Sequence, residues 1–141
     1  MMGFGQHLMV DGYGGNREKL ADLDLIYSFL DTYPKAMKMT KIMPPYVFKY
    51  SGRKPEDWGL SGVVLIAESH ISIHTFPDKE FLSLDMFSCK MFNTERAVYH
   101  VKKLFEVKKA EISLLDRGLE FPKDIMRAKD IVFKERVSMV G

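Results

Sequence analysis

Apolar side chains recur along this chain in two rhythms, and the switches between them divide it into elements. Gln6 to Tyr13 is a short extended run ending in GYGGN, where Gly12, Gly14 and Gly15 permit the positive φ of a turn. In ADLDLIYSFLDTY, Leu25, Ile26, Phe29 and Leu30 fall on one stripe of a helix; Asp22 and Asp24 sit near its positive end and Pro34 is its expected stop. Lys38 to Met43 predicts a strand broken by Pro44-Pro45, and YVFKYSGRKPEDWG, polar and punctuated by Gly and Pro, predicts a loop or an edge hairpin. SGVVLIA, HISIHTF and FLSLDMFSC are three β-rich runs in close succession. Their connections, around Glu68-Ser69 and PDKE, are too short for a parallel crossover, so antiparallel neighbours are expected. NTERAVYHVKKLFE predicts a helix capped by Asn93 or Thr94, with Ala97, Val98, Val101 and Leu104 buried, and AEISLL alternates as a last strand.

Helices set on one face of a mainly antiparallel sheet give an α+β, two-layer sandwich. Residues 1–119 are expected to form one catalytic domain, followed by a tail over residues 120–141. The tail carries Ile125, Met126, Ile131, Val132 and Phe133 in a weakly amphipathic pattern that fits a docked helix, a dimer contact or a frayed end. No internal repeat or low-complexity tract interrupts this organisation.

Composition narrows the function more than the fold. The 141 residues are 46% hydrophobic and 28% charged, which excludes disorder as the main state. With 21 basic and 19 acidic residues the net charge is +2, so the overall field gives no reason to expect nucleic acid or membrane partners. The apolar runs stop well short of the roughly 20 residues of a membrane span, and MMGFGQHLMVDGYGG has neither the basic start nor the apolar core of a signal peptide. A cytoplasmic location is the expectation. Cys89 stands alone, so it forms no internal disulfide and no thiolate zinc site, as suits a reducing compartment.

The segment ESHISIHTFP, Glu68 to Pro77, holds the candidate chemistry. In ISIHTF, Ile71, Ile73 and Thr75 share one parity and His70, Ser72, His74 and Phe76 the other, as in a half-buried strand. Four residues along a strand span about 13 Å, so His70 and His74 cannot clasp one ion, and no metal is expected. Ser69 lacks the G-x-S-x-G elbow of a hydrolase; by itself it reads as a turn residue.

Taken whole, SGVVLIAESHISIHTFP followed by LSLDMFSC, with the opening GQHLMVDGYG, resembles the prokaryotic S-adenosylmethionine decarboxylase proenzyme family. That family's hallmark is a strand, an ESH-x-x-x-H-T core and a D-x-[FY]-[ST]-C strand, and the matching segments run discontinuously from Gly5 to about Gly118. The resemblance implies a self-processing enzyme. Ser69 would attack the carbonyl of Glu68, the amide would become an ester, and elimination and hydrolysis would leave a pyruvoyl group at position 69 and two subunits divided between 68 and 69. The ketoamide would form a Schiff base with the substrate amine and serve as the electron sink, so neither pyridoxal phosphate nor a metal is implied.

By the same resemblance His74 handles a processing proton, Ser61 assists processing, and Cys89 returns a proton to the decarboxylated carbon, as a thiol with a near-neutral pKa can. Glu68, Phe76 and Asp78 are the implied substrate-binding residues, and His70 is expected to pack or orient its surroundings. Phe48, Tyr50, Trp58 and Phe76 could offer faces to a sulfonium and an adenine. Phe76 and Asp78 stand where the family often has Trp and Glu, the Tyr46 to Gly59 segment looks long, and GYGGN lacks a cysteine often found nearby; these departures bear on the pocket rather than on processing. S-adenosylmethionine decarboxylation, supplying the aminopropyl donor of spermidine synthesis, is thus the leading expectation. The alternatives are a pyruvoyl-dependent arginine or ornithine decarboxylase and an unprocessed regulatory or binding paralogue. A homodimer of processed protomers is implied, and activation by an amine such as putrescine is left open.

Overall fold

A computed structural model describes residues 3–140, with residues 136–140 described by their backbone alone. Its strands are β1 (Gly5–Tyr13), β2 (Thr40–Lys41), β3 (Tyr46–Tyr50), β4 (Gly59–Ala67), β5 (Ser69–Phe76), β6 (Phe81–Ser88) and β7 (Lys109–Arg117). Its helices are α1 (Arg17–Leu20), α2 (Leu23–Ala36), α3 (Thr94–Phe105) and α4 (Ile125–Val140). The strands make one antiparallel sheet in the order β2-β4-β5-β6-β1-β7, and β3 shares the outer edge of β4 with β2. The α+β sandwich is therefore the observed architecture.

Alternation fixes which side of the sheet is covered. Ile71 and Ile73 pair with Met86 and Leu84 on β6, and these pair in turn with Leu8 and Val10 on β1; all are buried against the helices. From the other side Leu20, Ile26, Phe29 and Leu30 meet Ala97, Val101 and Phe105 in the same core. A fully buried Leu, Ile or Phe contributes about 1.5–3 kcal/mol, so this single layer of contacts holds the sandwich together. Gly62 lies beneath α2; a Cβ there would stand 2.7 Å from Leu30 Cδ1 and 3.2 Å from Val47 Cγ2, so any larger residue would make those side chains shift.

The caps follow the sequence. Asp22 and Asn93 accept the Leu25 and Arg96 backbone N–H groups, both at 3.0 Å, and start α2 and α3. Pro34 does not stop α2, which runs on to Ala36. A proline this near the C-terminus forfeits one hydrogen bond, and Pro34 is itself buried against the core. In α3, Ala97, Val101 and Phe105 are fully buried, while Val98 and Leu104 are only partly so. Tyr33 is buried between the two helices with its hydroxyl 2.9 Å from His100 Nδ1; burial pushes its pKa up to about 12, against the opposing charge of Arg96.

Of the loop and the edge hairpin that YVFKY allowed, it forms the hairpin: β3 pairs antiparallel with residues 59–63 of β4. The tail is helical, but Ile125, Met126, Val132 and Phe133 remain exposed, so α4 is not seated in the core. On the sheet's second face Tyr46, Phe48, Tyr50 and Leu65 are exposed.

Candidate active site

Ser69 opens β5 directly after Glu68, at the tip of the β4–β5 hairpin, where Ile66 pairs with Ser69. Its φ of 126° lies in a region that side-chain-bearing residues rarely adopt, so the Glu68–Ser69 link is conformationally strained. The end of β6 reaches the same point, because Ser69 pairs with Ser88 and Cys89 follows. Cys89 N–H donates to the Glu68 carbonyl at 3.3 Å, and Glu68 N–H donates to Cys89 Sγ at 3.3 Å. The Glu68 carbonyl is thus polarised by a backbone donor, and the thiol is held against the same residue. Glu68, Ser69 and Cys89 are brought together.

Ser61 and His74 are also brought together, but elsewhere. They face each other across β4 and β5 with Ser61 Oγ 2.9 Å from His74 Nδ1. Five strand residues separate His74 from Ser69, about 16 Å at the usual rise. Phe76 lies at this second location, lining a cavity of about 240 Å³ with Tyr50, Gly59, Ser61, His74 and Thr75. Asp78 is farther still: Arg17 donates to its carboxylate from Nη2 at 2.5 Å and from Nε at 3.1 Å, which holds its pKa below the usual range. The face of Trp58 is occupied by Lys49, whose Nζ is 4.9 Å from the ring centre.

A group that sequence reasoning did not assemble surrounds His70 on the open face. His70 Nδ1 is 3.3 Å from Ser69 Oγ. His7 on β1 lies beside it, with ring centres 6.4 Å apart, and His7 Nε2 is 3.3 Å from Asp85 Oδ1 on β6. Arg117 on β7 reaches His7 Nδ1 at 3.5 Å while its guanidinium covers Phe87 at 4.3 Å. Burial holds the His70 pKa below the ordinary histidine value; His7 and Arg117 push the same way and Asp85 opposes them. The register was the missing signal: His7, His70 and Phe87 stand in one row only once β1, β5 and β6 are paired.

On the covered side of that tip, Gln6 pairs with Ser88 beside Ser69, and Gln6 Oε1 is buried with no partner. Among the described residues no group of three or more His, Cys, Asp or Glu could hold a metal ion, and no helix is long and apolar enough to cross a membrane.

Fold and site together define an α+β sandwich with a strained serine, a cysteine and a histidine gathered at a hairpin tip of an antiparallel sheet. Residues 6–118 match the family described as S-adenosylmethionine decarboxylase, and the chain belongs to that family. It is 37% identical over 117 residues to the S-adenosylmethionine decarboxylase proenzyme of Pyrococcus furiosus, covering 82% of this chain and 80% of that one. The proenzyme of Thermococcus gammatolerans is 33% identical over 138 residues, covering 97% and 92%. The crystal structure of the adenosylmethionine decarboxylase from Aquifex aeolicus superposes with a TM-score of 0.73 at 26% identity, covering 88% of this chain and 98% of that one.

Proposed function

We propose that this chain is a self-cleaving, pyruvoyl-dependent decarboxylase of S-adenosylmethionine, divided between Glu68 and Ser69. The observation that carries the reading is the hairpin tip, where a strained serine follows a carbonyl that accepts the Cys89 N–H at 3.3 Å. Relatives named as proenzymes of this activity support it and favour it over arginine or ornithine decarboxylation and over an unprocessed paralogue.

The residues at the tip fit a pyruvoyl group at position 69. Ser69 supplies its carbon skeleton, Cys89 N–H faces the carbonyl that must carry negative charge during rearrangement, and Gln6 offers an unpaired buried acceptor alongside. Once formed, the group supplies the electron sink that decarboxylation requires. Cys89 holds a proton on Sγ for the carbon that loses carbon dioxide. The exposed Phe48 and Tyr50 offer aromatic faces to a sulfonium.

His74 and Ser61 belong to the same reading only if a second copy is present. One chain cannot lay its His74 on its own Ser69 across about 16 Å. In an isologous dimer stacked open face to open face, each copy would present Ser61 and His74 to the other's hairpin tip. The exposed Tyr46, Phe48, Tyr50 and Leu65 on that face support a covered surface. Residues 120–141 are then a tail outside the catalytic sheet.

Intact mass and a denaturing gel test the central claim. Two fragments are expected, residues 1–68 and 69–141, with the second modified by phenylhydrazine and releasing carbon dioxide from S-adenosylmethionine but not from arginine or ornithine. A chain that stays whole and takes up no phenylhydrazine overturns it.

A further inference from the structure

We infer that His70 is the base that receives the Ser69 hydroxyl proton as the Glu68–Ser69 link rearranges. This rests on the self-cleavage proposed above and adds a catalytic residue to it. The serine hydroxyl is a poor nucleophile until a neighbour accepts its proton, and His70 Nδ1 is the nitrogen that stands 3.3 Å from Ser69 Oγ. His74 is about five strand residues away and already engaged with Ser61.

The step balances within the chain. As Oγ bonds to the Glu68 carbonyl carbon, its proton passes to Nδ1, and the oxygen's negative charge develops against the Cys89 N–H. The carbon–nitrogen bond then breaks, and the same proton passes from the imidazolium to the departing nitrogen. An ester and a free α-amine result, with no net proton uptake and no oxidant.

The surroundings keep the acceptor in its working form. Arg117 and Asp85 hold the His7 ring in place from either side, at 3.5 Å from Nδ1 and 3.3 Å from Nε2. Each strand packed against His70 can be accounted for: β1 presents His7, β6 presents Asp85 and Phe87, β7 presents Arg117, and β4 presents the uncharged Leu65. Burial and the two basic neighbours outweigh Asp85, so the His70 ring stays neutral at pH 7.

The experiment is a pulse-labelled cell-free synthesis of the full chain, with the cut fraction followed over time from pH 5 to 9. Wild type should lose its rate on the acid side with a midpoint below about 6.5. His70→Gln can still bond the hydroxyl but takes no proton, and it should cleave about 100-fold more slowly. His70→Ala should be accelerated by added imidazole, which a purely packing role would not allow; circular dichroism of each variant checks that the sheet has formed. His70→Gln within threefold of a dividing wild type, or His70→Ala indifferent to imidazole, overturns this proposal alone. A wild type that never divides refutes the self-cleavage reading and this one with it.

Discussion

Replacing Thr75 by valine tests whether the shape of this buried β5 side chain or its single hydroxyl holds α1 to the sheet. Thr75 is 1% exposed, and its Oγ1 donates to the Leu20 carbonyl at 2.7 Å while accepting the Leu60 N–H at 3.2 Å. Valine keeps the volume and removes both bonds. Each buried group left without a partner costs about 1–3 kcal/mol, so Thr75→Val should destabilise by about 2–4 kcal/mol, part of which water entering beside Leu20 could recover. Thr75→Ser keeps the hydroxyl and loses one methyl, at about 1 kcal/mol. Both should be measured in a Ser69→Ala background, so that every sample is a single polypeptide. With a urea m-value of about 2 kcal/mol/M, the valine variant's midpoint should fall by about 1–2 M and the serine variant's by about 0.5 M. A valine midpoint at or above that of serine would refute the reasoning, because shape would then outweigh the hydroxyl.

Three further outcomes follow from the geometry. Cys89→Ala leaves the backbone N–H on the Glu68 carbonyl, so self-cleavage should persist while carbon dioxide release drops about 100-fold, the usual worth of a positioned proton donor; loss of cleavage on a gel would contradict this. Co-expressing His74→Ala with Ser69→Ala chains should restore cutting of the His74→Ala chain, because each hairpin tip would meet the intact residue of a second copy; two whole bands would argue against a shared site. Tyr33 has a folded pKa raised from 10.0 to about 12, so its contribution is full below pH 10 and is lost as pH rises toward 12. That loss amounts to about 3 kcal/mol, and a urea series at pH 9 to 12 should show Tyr33→Phe without it.

The strands of the central sheet were legible because each alternates under one covered face, and alternation survives whatever the neighbours are. β3 was legible only as one of two options, a loop or an edge hairpin, because only Val47 turns inward while Tyr46 and Tyr50 are exposed, so its pattern carries no burial signal. Pro34 misled for a related reason, since its expected cost was judged without knowing that the residue is buried. The motif ESHISIHT names residues but carries no placement. Within one chain Ser69 and His74 stand about 16 Å apart at the usual rise per residue, and the row of His7, His70 and Phe87 exists only through pairings 80 and 17 positions apart in the chain, 87−7 and 87−70.

The strand order has a consequence for the two pieces that a cut at residue 68 would make. The first piece holds β1 to β4 and the second β5 to β7, yet β1 is threaded between β6 and β7. Each fragment is therefore stitched into the other by ladders on three seams, β4 to β5, β1 to β6 and β1 to β7. Severing the hairpin unties nothing: the halves are interleaved like the fingers of clasped hands, and neither can leave, exchange or be replaced without dismantling the whole sheet.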